Sequence, residues 1–268
     1  MPELAEVEYY RRRWDPGLGR RVTRVSLHPR VRDFRDTDTA RLAGSLPGAV
    51  LRGSEARGKQ MLFRFSRGIW LGIHLGMTGR LEVAAGEATA GRHDHLILHQ
   101  SGRALIFSDP RQFGRIRFSE SAASPEWWAS LPPSLLSEEF TPEILEAFLR
   151  RRARAPIKAV LMIQERFPGI GNWMADEILW RAEIHPATPA GRISFSAARV
   201  LWREIRLVAR TAMHRIGEER EELPRGWLFH QRWSDGGLCP RTGVLLVRET
   251  IGGRTSCWSP GRQKRPRS

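Results

Sequence analysis

The sequence predicts an α+β protein of several domains: an N-terminal helix with an antiparallel β-sandwich or barrel, then a helical domain, then a short C-terminal hairpin. Three observations carry this. Short β-like runs separated by turn residues fill the stretch to about residue 120. Helical patterns take over between about 140 and 216. Short strands punctuated by Gly236-Gly237 and Gly252-Gly253 close the chain.

The first helix is read over ELAEVEYYRRRW, with Leu4, Val7 and Trp14 near helical spacing. Strands follow at 60–65, 69–75, 95–100, 103–107 and 114–118. In the first of them Met61, Phe63 and Phe65 alternate with polar partners, as in a half-buried strand. The segment 121–138, rich in Pro and Ser, reads as a linker between domain 1–120 and a helical domain 139–222. There Thr141 caps a helix with Pro142 in its first turn, and helices are expected at 142–152, 156–166, 172–182 and 195–216. The hairpin is assigned to 223–264 and a basic tail to 265–268.

The chain has 268 residues, 41% of them hydrophobic, enough for one large or two modest cores. Its formal charge is +15, from 44 Lys+Arg against 29 Asp+Glu, and Arg dominates. Guanidinium forks match phosphate oxygens, so the balance points to nucleic acid. No apolar run approaches the ~20 residues of a membrane span, and Glu3, Glu6 and Glu8 interrupt any signal-peptide core. Cys239 and Cys257 are the only cysteines, which suits a reducing interior. They lie in a turn–apolar–turn segment that looks like a metal-binding hairpin, yet a structural zinc normally takes four ligands.

Removal of Met1 would expose the secondary amine of Pro2. Such an amine can attack a sugar carbon and form an iminium ion, as Lys does in Schiff-base enzymes. An α-amine titrates near ~8 against about 10.4 for Lys, and the positive end of a helix disfavours ammonium further. Glu3 and Glu6 share one helix face beside it, so one carboxylate can move protons while the other holds geometry. Pro and Glu are also ordinary helix-start residues, so this pattern acquires meaning only from the rest of the chain.

The rest of the chain supplies it. MPELAEVE, GKQMLF at 58–63, HLGMTGRL at 74–81, DPRQFGR at 109–115 and PIKAVLMIQERFPGIGNWMADEILWRAEIHP at 156–186 together resemble the formamidopyrimidine-DNA glycosylase/endonuclease VIII family, and the opening is closer to the formamidopyrimidine branch. The resemblance implies a helix-two-turn-helix DNA-binding domain and a bifunctional glycosylase/lyase. Pro2 would attack C1′ of a damaged nucleotide, Glu3 would protonate the sugar ring oxygen, Glu6 would support the site and Lys59 would contact phosphate and assist. The base must be everted first. Met77, Arg111 and Phe113 match the family's intercalating set, and Gln112 replaces a frequent second Arg. Lys158 and Asn172, with the amides of GIGN, would hold a phosphate at a helix N-terminus.

The family usually ends in a four-cysteine zinc hairpin. Here Cys239, Thr242, Ser259 and Arg262 fall at the ligand positions and Cys257 at none of them, so a zincless finger without a metal cofactor is expected. Arg254 aligns with the family's hairpin arginine and would enter the minor groove. The stretch GEEREELPRGWLFHQRW lacks the Gly-rich loop that covers a flipped purine. The expectation is a cytoplasmic, monomeric base-excision repair enzyme of bacterial type, acting on damaged double-stranded DNA and cleaving it by β,δ-elimination. An endonuclease VIII-like preference for oxidised pyrimidines and a non-catalytic lesion-binding protein are the alternatives.

Overall fold

In the computed structural model, residues 1–29 and 31–266 are described, and the chain divides into two compact units, Met1–Leu131 and Pro132–Ser268. Of the basic tail expected at 265–268, Arg267 and Ser268 lie outside the described residues.

The first unit opens with α1 (Leu4–Arg12). Two four-stranded antiparallel sheets follow, so the sandwich holds and the barrel does not. One sheet joins β1 (Val22–Leu27) to β6 (Asp94–Gln100), β7 (Arg103–Ser108) and β5 (Arg80–Ala85) in that order. The other runs β2 (Leu51–Arg57), β3 (Gln60–Phe65), β4 (Ile69–His74) and β8 (Arg115–Glu120). A short α2 (Thr39–Ser45) is capped by Asp38, whose carboxylate accepts from the Arg41 amide at 2.9 Å. Met61, Phe63 and Phe65 of β3 and Ile69, Leu71 and Ile73 of β4 meet Leu96, Leu98, Leu105 and Phe107 of the opposite sheet in one core. Trp14, fully buried in it, stacks on Phe63 at 4.7 Å. The sequence reading missed β1, β2 and β5; in β2, LRGSEAR carries few of the bulky side chains that mark a strand.

The proposed linker begins differently from expectation. It carries a short helix, α3 (Glu126–Ala129), packed on the outer face of the second sheet. Trp127 lies across Gly72, where a Cβ would come within 2.5 Å of its ring, and beneath the Arg117 guanidinium. Trp128 is buried under Arg57. Two adjacent tryptophans outweigh the Pro and Ser around them, since each buries a large apolar area.

The second unit holds α4 (Pro142–Arg151), α5 (Ile157–Leu161), α6 (Asn172–Arg181) and α7 (Phe195–Ala212), followed by a π-helical turn over Met213–Glu218. Thr141 caps α4 as expected, and Ser194 caps α7. The helix anticipated at 156–166 stops at Leu161, since Pro168 and Gly169 follow and the chain turns. The hairpin pairs β9 (Val247–Ile251) with β10 (Arg254–Trp258). Gly252 and Gly253, at φ +60° and +77°, supply the two left-handed residues of its turn. No helix among the described residues is long and apolar enough to cross a membrane.

Glu177 on α6 is fully buried, and its carboxylate accepts from the Phe229 amide at 3.0 Å. Burial pushes its pKa up to about 8. The unfolded chain ionises this group freely above the ordinary carboxylate range and the folded chain cannot. Its contribution to stability is therefore full at low pH and fades as pH rises towards 8. Glu177→Gln removes that loss. The Tm difference between variant and wild type should widen in the variant's favour from about pH 5 to about pH 8; a constant difference would show that Glu177 ionises normally.

Candidate functional site

In the first unit the chain start is fixed by a reciprocal capping box. The Glu3 side chain accepts from the Glu6 backbone, and the Glu6 carboxylate accepts from the Glu3 amide at 3.2 Å. Glu3 is only 2% exposed, and Pro2 is half-buried beside it. Salt bridges from Arg11 and Arg12 to Glu8, and Arg11 contacts to Asp15 and to Ser54 of β2, seat α1 on the sandwich. Lys59 sits in the two-residue turn between β2 and β3, which Gly58 begins at φ +57°. Its Nζ lies 3.9 Å from the Met1 sulfur. The structure thus gathers Pro2, Glu3, Glu6 and Lys59 at one place, the chain's N-terminal proline with two carboxylates and one ammonium.

His74, ending β4, is part of the same neighbourhood. Burial, followed by the charges of Lys59, Arg117 and Arg35, lowers its pKa to about 4. The ring is neutral at pH 7, and Nδ1 accepts the Gly76 amide at 3.1 Å, which leaves the proton on Nε2. The next loops present the intercalation candidates. Phe113 is 45% exposed, Arg111 lies over its ring at 4.9 Å, and Met77 is half-buried. Thr78 donates to Asp109 across the two loops at 2.6 Å. Gln112 occupies left-handed space at φ +54°, and its side chain accepts the Arg32 amide rather than facing outward.

In the second unit the GIGN turn leads into α6, whose first residue is Asn172. Gln164 shapes it, accepting from the Gly169 amide and donating to the Ile170 carbonyl at 2.9 Å. Lys158 departs from expectation. Its side chain is fully buried, donates to the Asn172 carbonyl at 2.7 Å and pairs with Asp176. An ammonium so enclosed braces the turn from inside instead of reaching for phosphate. Asp176 also takes two bonds from Arg232 and one from the Cys257 amide at 3.1 Å. The hairpin tip rests on α5: a Cβ on Gly252 would lie 2.8 Å from the Ala159 side chain. Exposed Arg254 thus projects beside the helix that carries Lys158.

Residues 1–116 match the N-terminal domain profile of formamidopyrimidine-DNA glycosylase, and residues 131–221 match its H2TH domain. The formamidopyrimidine-DNA glycosylase of Geobacter metallireducens is 36% identical over 269 residues, covering 97% of this chain and 98% of that one. The chain belongs to the formamidopyrimidine-DNA glycosylase family. Solved relatives include the Lactococcus lactis enzyme bound non-covalently to DNA containing an AP site, with TM-score 0.85 and 26% identity. The same enzyme with DNA containing an oxidised pyrimidine superposes with TM-score 0.86 and 26% identity. Each comparison covers 98% of this chain and 100% of its counterpart.

Among the described residues, the positions expected to hold the family's hairpin zinc carry side chains that do not fit it. Cys239 packs with Trp180, Leu228, Leu246 and Cys257, and the Trp180 indole donates to its sulfur at 3.4 Å. Burial alone would raise the Cys239 thiol, but Ser259, Thr242, the Arg241 backbone and Trp180 bring it down to about 7. Arg262 pairs with Glu183 and lies over the Trp180 ring. Burial, then Asp176, pushes the Cys257 thiol up to about 12. His230 bonds the Leu223 carbonyl. Among the described residues no three His, Cys, Asp or Glu side chains converge on a metal position. Two hydroxyls, a guanidinium and one thiolate are not a zinc set.

The sequence reading missed His74, Thr78, Asp109, Gln164 and Asp176 as organisers of these sites, although each lies inside a motif it singled out. Burial and the neighbouring cations lower the pKa of His74 to about 4. A histidine-selective NMR titration should show its ring staying neutral until pH falls to about 4. Titration near the ordinary histidine value would mean that the ring is hydrated and that its bond to Gly76 is open.

Proposed function

We propose that this glycosylase excises an oxidised base from duplex DNA through a Schiff base on Pro2, after Met1 is removed, and then breaks the strand by β,δ-elimination. The class of enzyme follows from the family; the residue roles are our reading. The observation that carries it is the placing of Lys59 Nζ 3.9 Å from Met1, beside a buried Glu3 locked to Glu6. Met1 is half exposed and open to an aminopeptidase. The Pro2 nitrogen attacks C1′ as the bond to the base breaks, the departing base takes up a proton, and Glu3 delivers one to the ring oxygen. The resulting iminium acidifies the C2′ proton, so the 3′ and then the 5′ phosphate can leave. Met77, Arg111 and Phe113 fill the space that the everted base vacates. Asn172 and Arg254 hold backbone phosphates, with Lys158 bracing Asn172 from behind.

A preference for oxidised pyrimidines over purines is the second reading, favoured by segment 219–233. It runs from the π-helical turn into a short 3-10 turn at Leu228–His230 with no Gly-rich loop to cover a purine. We also read the C-terminal hairpin as metal-free, held by Asp176 and by the packing around Cys239. Two free, buried cysteines suit a monomeric enzyme of the cytoplasm.

Borohydride should trap the protein on abasic-site DNA, with mass spectrometry placing the adduct on Pro2; an adduct on Lys59 with Met1 retained would overturn the chemistry. Glu3→Gln should slow base excision by about 10²-fold or more. A panel of lesion duplexes, read for strand cleavage, separates the two base preferences.

The purified protein should hold no stoichiometric zinc, and chelators should leave cleavage intact. Cys239→Ser should be mild, because a hydroxyl can still accept the Trp180 bond. One zinc per chain would show that the ligands lie elsewhere.

A further inference from the structure

We propose that Asp109 is a positioning residue that makes the Met77 loop and the Arg111–Phe113 loop a single rigid insertion device, with Thr78 as its link between them. Asp109 is fully buried at the end of β7. Its two carboxylate oxygens divide their work. Oδ1 accepts from the Thr78 hydroxyl at 2.6 Å and from the Arg111 amide at 3.3 Å. Oδ2 accepts from the Gly114 amide at 2.7 Å. One side chain therefore reaches the residue after Met77 and the residue after Phe113.

The backbones are fitted to the same end. Gly76 stands at φ +61°, and a Cβ there would overlap the Phe113 carbonyl carbon. A Cβ on Gly114 would lie 2.5 Å from Asp33 and 2.8 Å from the Phe107 ring. Met77 is thus flanked on both sides by residues in contact with the other loop. Phe113 is flanked by Gln112, held to the Arg32 amide, and by Gly114, held to Asp109. Unstacking a base pair opposes whatever enters it, and loops that yield separately would bend instead of prising. Bonds to a buried carboxylate are strong enough to resist this. The inference rests on reading Met77, Arg111 and Phe113 as the wedge.

Thr78→Val removes the hydroxyl at nearly constant shape, and Thr78→Ser restores it. Two measurements separate the possibilities. The first is 2-aminopurine fluorescence in a duplex carrying an uncleavable abasic analogue, which reports unstacking without any chemistry. The second compares single-turnover excision of a base-paired lesion with cleavage at a preformed abasic site. Thr78→Val should blunt the fluorescence rise and lower the ratio of excision to abasic-site cleavage roughly tenfold, and Thr78→Ser should recover both. Fluorescence and ratio both at wild-type values in Thr78→Val would overturn the proposal. So would a parallel fall in both reactions with normal fluorescence, which marks a merely structural bond. If wild type perturbs 2-aminopurine but cleaves nothing, the proposed chemistry fails, while a blunted Thr78→Val signal still upholds the positioning role. No perturbation by wild type at all overturns it.

Discussion

A carboxylate taken out of water must be met by enough donors to replace its hydration, and that requirement organises both units of this protein. In the second unit Asp176 gathers the Lys158 ammonium, the Arg232 guanidinium and the Cys257 amide, drawn from three separate stretches of chain. In the first, Asp109 gathers a hydroxyl and two amides from neighbouring loops. Removing one partner of a buried ion pair typically costs about 3–5 kcal/mol, so Asp176 fixes the positions of Lys158 and Arg232 more firmly than apolar packing alone. The candidate DNA-contacting side chains stand two to four residues away from these hubs or their donors. Asn172 is four residues from Asp176 on α6, Arg254 three from Cys257 on β10, and Arg111 two from Asp109.

The same economy governs the chain start. Glu3 and Glu6 satisfy each other's helix-end groups, so the first turn of α1 is closed by the two carboxylates that follow Pro2, the proposed nucleophile. The capping box and the proposed catalytic pair are the same two side chains here. That is why composition alone could not distinguish the two roles, and why the neighbouring Lys59 matters to the catalytic proposal.

Much of the fold was legible because its signals were local. Alternating Met61, Phe63 and Phe65 marked β3, and the Thr141-Pro142 cap marked α4. A strand poor in bulky side chains, such as LRGSEAR of β2, was invisible, since its place is set by the neighbouring strands rather than by its own side chains. The tryptophan pair at 127–128 was hidden by its Pro- and Ser-rich setting. For the candidate site, the motifs marked the loops but not which of their members face inward. Lys158 reads as a phosphate ligand in one dimension. Only the folded chain shows Asp176, eighteen residues along, claiming its ammonium.

The seclusion of the Asp176 cluster separates two properties that ionic strength usually moves together. Mobile ions screen charges at a surface within about 8–10 Å at moderate salt, but they do not penetrate a dry interior. Contacts between DNA and exposed cations, as proposed for Arg254, weaken as salt rises, while Lys158, Asp176 and Arg232 keep their attraction unscreened. Concentrated salt therefore strips this protein from DNA and leaves the helix-and-hairpin assembly standing.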